Sequence, residues 1–197
     1  MRTHLLAGAL LFTLAAPAAR AGTGPVEGLT VQPSSRLWVE GTSSVRSFKC
    51  TAKQFDAAID AEDDAKTAVL AGTKAVRAVS VRVPVRSLDC GNGTMNEHML
   101  KAIKAKENPE IAFQLISYEL VRQGEAESLK MTGTLSLGGA QRPVTLTGDV
   151  RSADGALAVT GATVIKLSEY GLKAPSLMMG AMKVGDQVTV RYDLSLK

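Results

Sequence analysis

Apolar and polar residues alternate along five stretches of this sequence, and no other feature constrains the fold as strongly. Successive side chains of a β-strand point to opposite faces, so such alternation predicts strands with one buried and one solvated face, which is typical of antiparallel pairing. The apolar residues on the shared parity of these stretches are Val79, Val81, Val83 and Val85; Leu129, Met131, Leu135 and Leu137; Val144, Leu146 and Val150; Leu157, Val159, Ile165 and Leu167; Val188, Val190, Tyr192, Leu194 and Leu196.

Turn signals divide the chain into short strands. Gly138-Gly139 and Asp154-Gly155 each predict a tight hairpin. Residues 36–50 predict one long, less regular strand, and residues 110–121, which carry apolar side chains on both parities, predict a strand covered on both faces. The total of about eight strands favours a barrel or a sandwich, built as one domain over residues 22–197.

The first 21 residues predict a cleaved secretory signal peptide. Arg2 precedes the apolar run 5–18, which is short for a membrane span, and Ala19-Arg20-Ala21 is typical of a cleavage site. An uncleaved membrane anchor is the alternative; no later segment approaches the length of a transmembrane helix. Cleavage removes two of the 23 basic residues and none of the 19 acidic ones, so the formal net charge falls from +4 to +2. The scattered basic residues and scarce aromatics predict no nucleic-acid partner.

The two cysteines, Cys50 and Cys90, agree with export. In an oxidising compartment a lone pair of cysteines predicts a disulfide, which stabilises a fold by about 4 kcal/mol for a loop of this length. Two buried free thiols are the alternative, and the spacing excludes a CxxC redox site.

Residues 94–106 predict a short helix. Thr94 as N-cap and Glu97 three residues later form a capping-box pattern, and Pro109 ends the segment. The apolar stripe of this helix consists of Met95, Met99, Ala102 and Ile103. His98 borders the stripe and, because His4 lies in the predicted signal peptide, is the single imidazole of the mature chain.

One imidazole leaves few routes to catalysis. No G-x-S-x-G motif supports a serine triad, zinc would need more nitrogen or sulfur ligands, and no phosphate-binding or dinucleotide loop is present. The acidic residues 60 and 62–64 predict a solvated turn and no metal site. No catalytic residue, metal or cofactor is therefore predicted. An enzyme built on this fold would have to use His98 with a carboxylate such as Glu97 or Asp89.

Ligand binding inside the sheet is the function that the apolar rows favour. A barrel of about eight strands has an interior wide enough for one elongated ligand, and its inward residues here would form an environment suited to an alkyl chain. Met178, Met179 and Met182, in a glycine-containing connection, could line or gate the mouth of such a barrel. Alternatively, these side chains fill the interior completely and leave no room for a ligand.

Six motifs in this order resemble the YceI-like family of secreted, lipocalin-like proteins: LWVEGTSSVRSF, MNEHML, NPEIAFQL, GTLSLGGAQRPVTL, KLSEYGLKAP and KVGDQVTVRYDL. The resemblance implies an all-β, antiparallel lipocalin-like barrel with a short capping helix. It also implies a polyisoprenoid or similar long-chain ligand, no established catalysis, a periplasmic location and, in many members, a homodimer. At Arg46-Ser47 this chain is more basic than the family pattern.

Together these observations predict a periplasmic lipid-binding protein that acts in transport, storage or stress response. The headgroup would lie near His98, Asn96 or Arg46. The ligand tail would lie along Trp38, Phe48, Val79, Val81, Val83, Met99, Phe113, Leu115 and Ile165. Two alternatives stay open: an enzyme for an apolar substrate that uses His98, and a ligand-free envelope stress or partner-binding protein with a filled interior. For His98 itself, the alternative to a headgroup contact is that it packs the helix on the barrel.

Overall fold

The computed structural model describes residues 29–123, 126–177 and 182–197. The predicted signal peptide 1–21 and the loop residues Met178 and Met179 lie outside this part of the chain.

Eleven strands form one antiparallel sheet, in the order β3-β4-β6-β7-β8-β9-β11-β1-β2-β5, with β10 paired to β11. The sheet curls into a half-barrel. Among the described residues no ladder joins the edge strand β3 to β2 or β5, so the sheet is not closed by hydrogen bonds. The strands are β1 (Arg36–Ser43), β2 (Ser47–Ala52), β3 (Asp56–Ala61), β4 (Val76–Pro84), β5 (Leu88–Asp89), β6 (Glu110–Gln123), β7 (Ala126–Leu137), β8 (Ala140–Ala153), β9 (Ala156–Lys166), β10 (Ser176–Leu177) and β11 (Met182–Leu196).

The all-β antiparallel prediction is confirmed, with more strands than the predicted eight or so. Two of the additional strands, β5 and β10, have only two residues each. The single long strand predicted over residues 36–50 is wrong, because a turn at residues 44–46 divides it into β1 and β2. Ser43 organises this turn, since its hydroxyl donates to the Arg46 carbonyl while its amide donates to the same oxygen.

Both predicted tight hairpins are present. Gly138 and Gly139 connect β7 to β8 with φ angles of 57° and 87°, and Asp154 and Gly155 connect β8 to β9 with φ angles of 49° and 72°. Positive φ at both central residues is the conformation that matches the twist of a two-residue hairpin, and glycine and aspartate adopt it at low cost.

A β-bulge in β6 explains the apolar residues on both parities of residues 110–121. The register between β6 and β7 shifts between Leu115 and Ser117, so the inward positions change from odd to even numbers. Ile116 is 67% exposed at the shift. The prediction that this strand is covered on both faces is therefore wrong: one row of apolar residues changes parity at the bulge.

Two α-helices accompany the sheet in the described residues, α1 (Ala65–Leu70) and α2 (Gly93–Ala102). The predicted capping box is wrong. Asn92 is the N-cap of α2, and its side-chain oxygen accepts a hydrogen bond from the Met95 amide at 3.1 Å. Thr94 thus lies inside the first turn. Helix α1 was not predicted, because six residues are too few to show a helical period.

The buried residues form two clusters at opposite ends of the sheet. One cluster surrounds α2 and includes Val85, Ile103 and Leu167. The other surrounds α1 and includes Val69, Val150 and Leu157. Inward residues of the strands between them, such as Val81 and Met131, are only partly buried, and they border an internal space.

Candidate ligand-binding site

A cavity of about 540 Å³ lies inside the curled sheet. It extends from Val69 of α1 at one end to the first turn of α2 at the other. This volume falls within the range of about 300–1,000 Å³ that is usual for small-molecule sites. The interior is therefore hollow, and the prediction of an internal space large enough for a ligand agrees with the structure.

The five alternating stretches supply a large part of the cavity wall, because nearly all residues on their shared parity face inward. Val81 of β4, Phe113 of β6 and Leu135 of β7 lie side by side across three neighbouring strands and all face the cavity. The predicted tail-binding residues that line the wall are Phe48, Val79, Val81, Val83, Met99, Phe113, Leu115 and Ile165.

Gly133 provides the room that the Phe113 ring occupies. A Cβ atom at Gly133 would lie 2.4 Å from the Phe113 ring and 2.4 Å from the Gln114 carbonyl oxygen. A side chain at residue 133 would therefore displace the ring and strain the β6–β7 pair. Beyond the bulge, Tyr118 and Leu120 continue the row toward α1.

Trp38 does not line the cavity, so its predicted place along the ligand tail is wrong. It is Leu37 and Val39, its neighbours in β1, that face inward. The Trp38 indole lies on the outer face, where its Nε1 donates to Glu40 at 2.8 Å and Lys49 Nζ lies 4.4 Å from the ring centroid. The hydrogen bond from Trp38, followed by that from Arg191, lowers the pKa of Glu40.

Asn96 is absent from the cavity wall as well, so the prediction that it contacts a headgroup disagrees with its position. Its side-chain oxygen accepts from the Cys90 amide at 2.7 Å, and its side-chain nitrogen donates to Asp89 at 3.2 Å. The Gly91 amide also donates to Asp89. The hydrogen bond from Gly91 lowers the pKa of the Asp89 carboxyl most, and the one from Asn96 lowers it further. Asn96 thus fastens the segment before α2 to the helix.

The polar groups that line the α2 end of the cavity come from two elements. The end of β1 and the turn after it contribute Ser43 and Arg46, and α2 with its cap contributes Asn92, Thr94 and His98. Arg46 reaches across to the helix, since its Nη2 lies 3.9 Å from Met95 Sδ. His98 also lines the cavity, which agrees with its predicted place beside the apolar stripe of the helix.

The opposite end of the cavity has two tyrosine hydroxyls that are engaged with the backbone. The Tyr118 hydroxyl accepts from the amides of Ala75 and Val76 at 2.8 and 3.0 Å. The Tyr192 hydroxyl donates to the Thr147 carbonyl at 3.0 Å, and burial raises the pKa of Tyr192 to about 12. These hydrogen bonds join β6 to the start of β4 and β11 to β8.

The predicted disulfide between Cys50 and Cys90 is present, and both cysteines line the cavity. Cys50 lies in β2, and Cys90 precedes the N-cap of α2 by two residues. The disulfide thus joins the strand that follows the Arg46 turn to the segment that positions the helix.

Acidic side chains are missing from the described cavity wall. Asp89 faces the Gly91 turn and also pairs with Lys53 at 3.5 Å, and Glu97 is exposed; neither lines the cavity. Across residues 29–123, 126–177 and 182–197, no three His, Cys, Asp or Glu side chains are grouped to hold a metal ion. No helix in that part of the chain is long and apolar enough to cross a membrane.

Some wall residues were missed by the sequence analysis. Leu37 and Val39 alternate with Trp38 and Glu40, which was the available signal. Phe55 lies in the irregular connection between β2 and β3, and Val69 lies in α1, so neither belongs to a detectable repeat.

A family model described as the YceI-like domain matches residues 30–196 of the chain. The chain belongs to the YceI-like family. This match confirms the resemblance inferred from the ordered motifs. No protein with a curated function matches the sequence significantly.

Solved structures with the same fold include three from different bacteria. BcnA of Burkholderia cenocepacia has a TM-score of 0.67 and 19% identity, covering 84% of this chain and 99% of BcnA. A polyisoprenoid-binding domain from Saccharophagus degradans, implicated in plant cell wall breakdown, has a TM-score of 0.61 and 13% identity, covering 86% and 97%. A Campylobacter jejuni YceI protein has a TM-score of 0.54 and 20% identity, covering 74% and 82%. These likenesses show the shared fold.

Proposed function

We propose that this protein binds one long-chain amphiphile, of the isoprenoid or lipid class, inside the sheet. The observation that supports this most directly is the cavity of about 540 Å³, whose wall is apolar apart from the polar groups at the α2 end and two tyrosines whose hydroxyls are bonded to the backbone. Each methylene group transferred from water to such a wall contributes about 0.8 kcal/mol before the costs of binding. A linear apolar tail suits this space better than a compact polar ligand does.

The tail would lie against the Val81–Phe113–Leu135 row and extend toward α1, with Phe48, Val79, Val83, Leu115 and Ile165 along its length. Met99 would contact it from the helix, since methionine adapts to irregular apolar shapes. The Saccharophagus degradans domain of the same fold is described as polyisoprenoid-binding, which supports an isoprenoid as the first ligand to test.

The proposed location is the periplasm. Residues 1–21 have the charge, apolar run and small-residue ending of a secretory signal peptide. The Cys50–Cys90 disulfide agrees with an oxidising compartment. Osmotic release of the protein from its host, with a mass that lacks the first 21 residues, is the expected result; a cell-associated full-length mass would contradict it.

Binding without catalysis is the proposed activity. An acid–base mechanism would need a carboxylate near His98, and neither Asp89 nor Glu97 lines the cavity. A filled interior, the remaining alternative, conflicts with the observed volume.

Native mass spectrometry of protein purified from its own host tests the proposal. The expected result is a bound mass that organic extraction removes. A matched pair of variants locates it: Val81→Trp puts an indole into the cavity, whereas Val164→Trp puts one on the outer face, where Val164 is 58% exposed. Val81→Trp should lose most of the bound lipid, and Val164→Trp should retain it.

Circular dichroism checks that both variants are folded. Wild-type protein without a bound lipid, and without affinity for added prenyl chains, would refute the proposed function. Equal lipid occupancy in the two tryptophan variants would refute the cavity as its place.

A further inference from the structure

The cavity wall carries little charge. Among the described lining residues, Arg46 is the single arginine, and the wall has no aspartate, glutamate or lysine. Arg46 lies in the β1–β2 turn, at the same end as the other polar groups. The cavity is therefore an apolar channel with a positive charge at its mouth.

This charge has no acidic partner in the described part of the chain. The ion pairs there join other residues, and the guanidinium of Arg46 has only a soft contact with Met95 Sδ, at 3.9 Å. By contrast, Arg36, Arg77 and Arg191 each pair with a carboxylate. An arginine at the rim of an apolar channel and without a carboxylate partner is suited to receive an anionic group.

Helix α2 brings a second donor to the same place. Met95 and His98 are three residues apart on α2 and line the same cavity, so the imidazole lies one turn from the Arg46 contact. Thr94 lies four residues before His98 and adds a hydroxyl on that face. Two basic side chains and a hydroxyl can therefore surround one headgroup.

We propose that the amphiphile carries an anionic headgroup, an oxyanion such as a phosphate or carboxylate, that binds between Arg46 and His98 at the cavity mouth. This inference rests on the proposed function, because the tail must occupy the cavity for the headgroup to reach this position. A guanidinium matches the geometry of carboxylate and phosphate oxygens and can donate two parallel hydrogen bonds to them. The ligand would enter tail first, and its charged end would stay at the solvated rim, where Arg46 is exposed.

Farnesyl phosphate and farnesol form a matched pair of probes, since they share one tail and differ in the headgroup. Isothermal titration calorimetry with the wild-type protein is expected to show about tenfold tighter binding of farnesyl phosphate, the lower end of the range for hydrogen bonds to charged groups. The preference should shrink as ionic strength rises, because the headgroup site is solvated.

Three variants assign the preference to residues. Arg46→Gln should bring the two affinities to within about twofold of each other, because it weakens the binding of farnesyl phosphate more than that of farnesol. Lys49→Gln removes the same charge three residues away, on the outer face beside Trp38, and should retain the full preference. His98→Ala should reduce the preference about threefold, as expected for the loss of one hydrogen bond to the headgroup.

The possible results separate the two proposals. Equal affinity of the wild-type protein for both probes would overturn the anionic headgroup and leave lipid binding intact, whereas no binding of either probe would overturn the proposed function itself. Inorganic phosphate that binds as tightly as farnesyl phosphate would overturn the amphiphile in favour of a free anion. A preference that survives Arg46→Gln, or that His98→Ala leaves unchanged, would overturn the role of that residue.

Discussion

Reduction of the Cys50–Cys90 disulfide is expected to destabilise the protein strongly. The two cysteines are 40 residues apart in sequence, and closing a loop of that length lowers the entropy of the unfolded chain enough to stabilise the fold by about 4 kcal/mol. In a domain of about 150–250 residues, each kcal/mol shifts the melting temperature by roughly 2–4 °C. Reduction should therefore lower the melting temperature by roughly 8–16 °C.

Thermal and urea unfolding, followed by circular dichroism with and without a phosphine reductant, measure this effect. A thiol assay confirms that both sulfurs are reduced. The double variant Cys50→Ala/Cys90→Ala is the control, because it lacks the cross-link and should no longer respond to the reductant. Cys50 is only 4% exposed, so alanine is a better replacement there than a polar residue.

The urea experiment also tests the mechanism. A cross-link that acts on the unfolded chain keeps that chain compact, so its removal should increase the dependence of the unfolding free energy on urea, the m-value. A fall in melting temperature of less than about 3 °C, which corresponds to roughly 1 kcal/mol, would refute the entropic estimate. A large fall with an unchanged m-value would show that the disulfide acts through contacts in the folded state.

Other side chains with defined surroundings give measurable expectations as well. Asn96→Ala removes an amide donor from Asp89, so the lowered pKa of that carboxyl should rise toward its ordinary value in an NMR pH titration; an unchanged pKa would remove Asn96 from this role. The pKa of Tyr192 is raised to about 12, so the unfolded chain loses the phenol proton first, and stability should fall as pH rises from the unfolded pKa of about 10. An ultraviolet titration that shows every tyrosine ionising near pH 10 would contradict this. Gly133→Ala should lower the unfolding free energy by about 1–3 kcal/mol, since a ring and a carbonyl already occupy that space, whereas Gly93→Ala, with nothing within 4 Å, should change it little. Equal urea midpoints for the two alanine variants would contradict the packing argument.

The strands with a clean alternation were predictable residue by residue. Apolar and polar side chains alternate along β7 and β11, so neighbouring residues alone show which face is apolar. Leu129, Met131, Val188 and Val190 could therefore be assigned to the interior. The two hairpins were equally accessible, because glycine and aspartate supply the positive φ that those turns need.

Strand β1 shows why the candidate site could be predicted only in part. Leu37 and Val39 compete with Trp38 for the inward face, and both sets are apolar enough to be buried. The register of β1 against β11 pairs Trp38 with Arg191 and Val39 with Val190. In this register the indole lies on the outer face, beside Glu40 and Lys49. The alternation with Glu40 is the only local signal for this choice, and the strand that pairs with β1 lies about 150 positions away.

The β6 bulge and the role of Asn96 depend on tertiary structure in the same way. A bulge changes the parity of every later residue in the strand, and the sequence marks it only as a mixed apolar run. Asn96 was an equally plausible headgroup contact until its hydrogen bonds to Cys90 and Asp89 were known.

An antiparallel sheet with one apolar face, a helix that carries His98 and the family were all predictable from the order of the residues. The open volume inside the curled sheet, and the place of Arg46 as the single arginine of its described wall, became evident from the three-dimensional structure. The physical reason is that polarity and turn geometry act between near neighbours, whereas a cavity is defined by side chains from distant strands that meet in space.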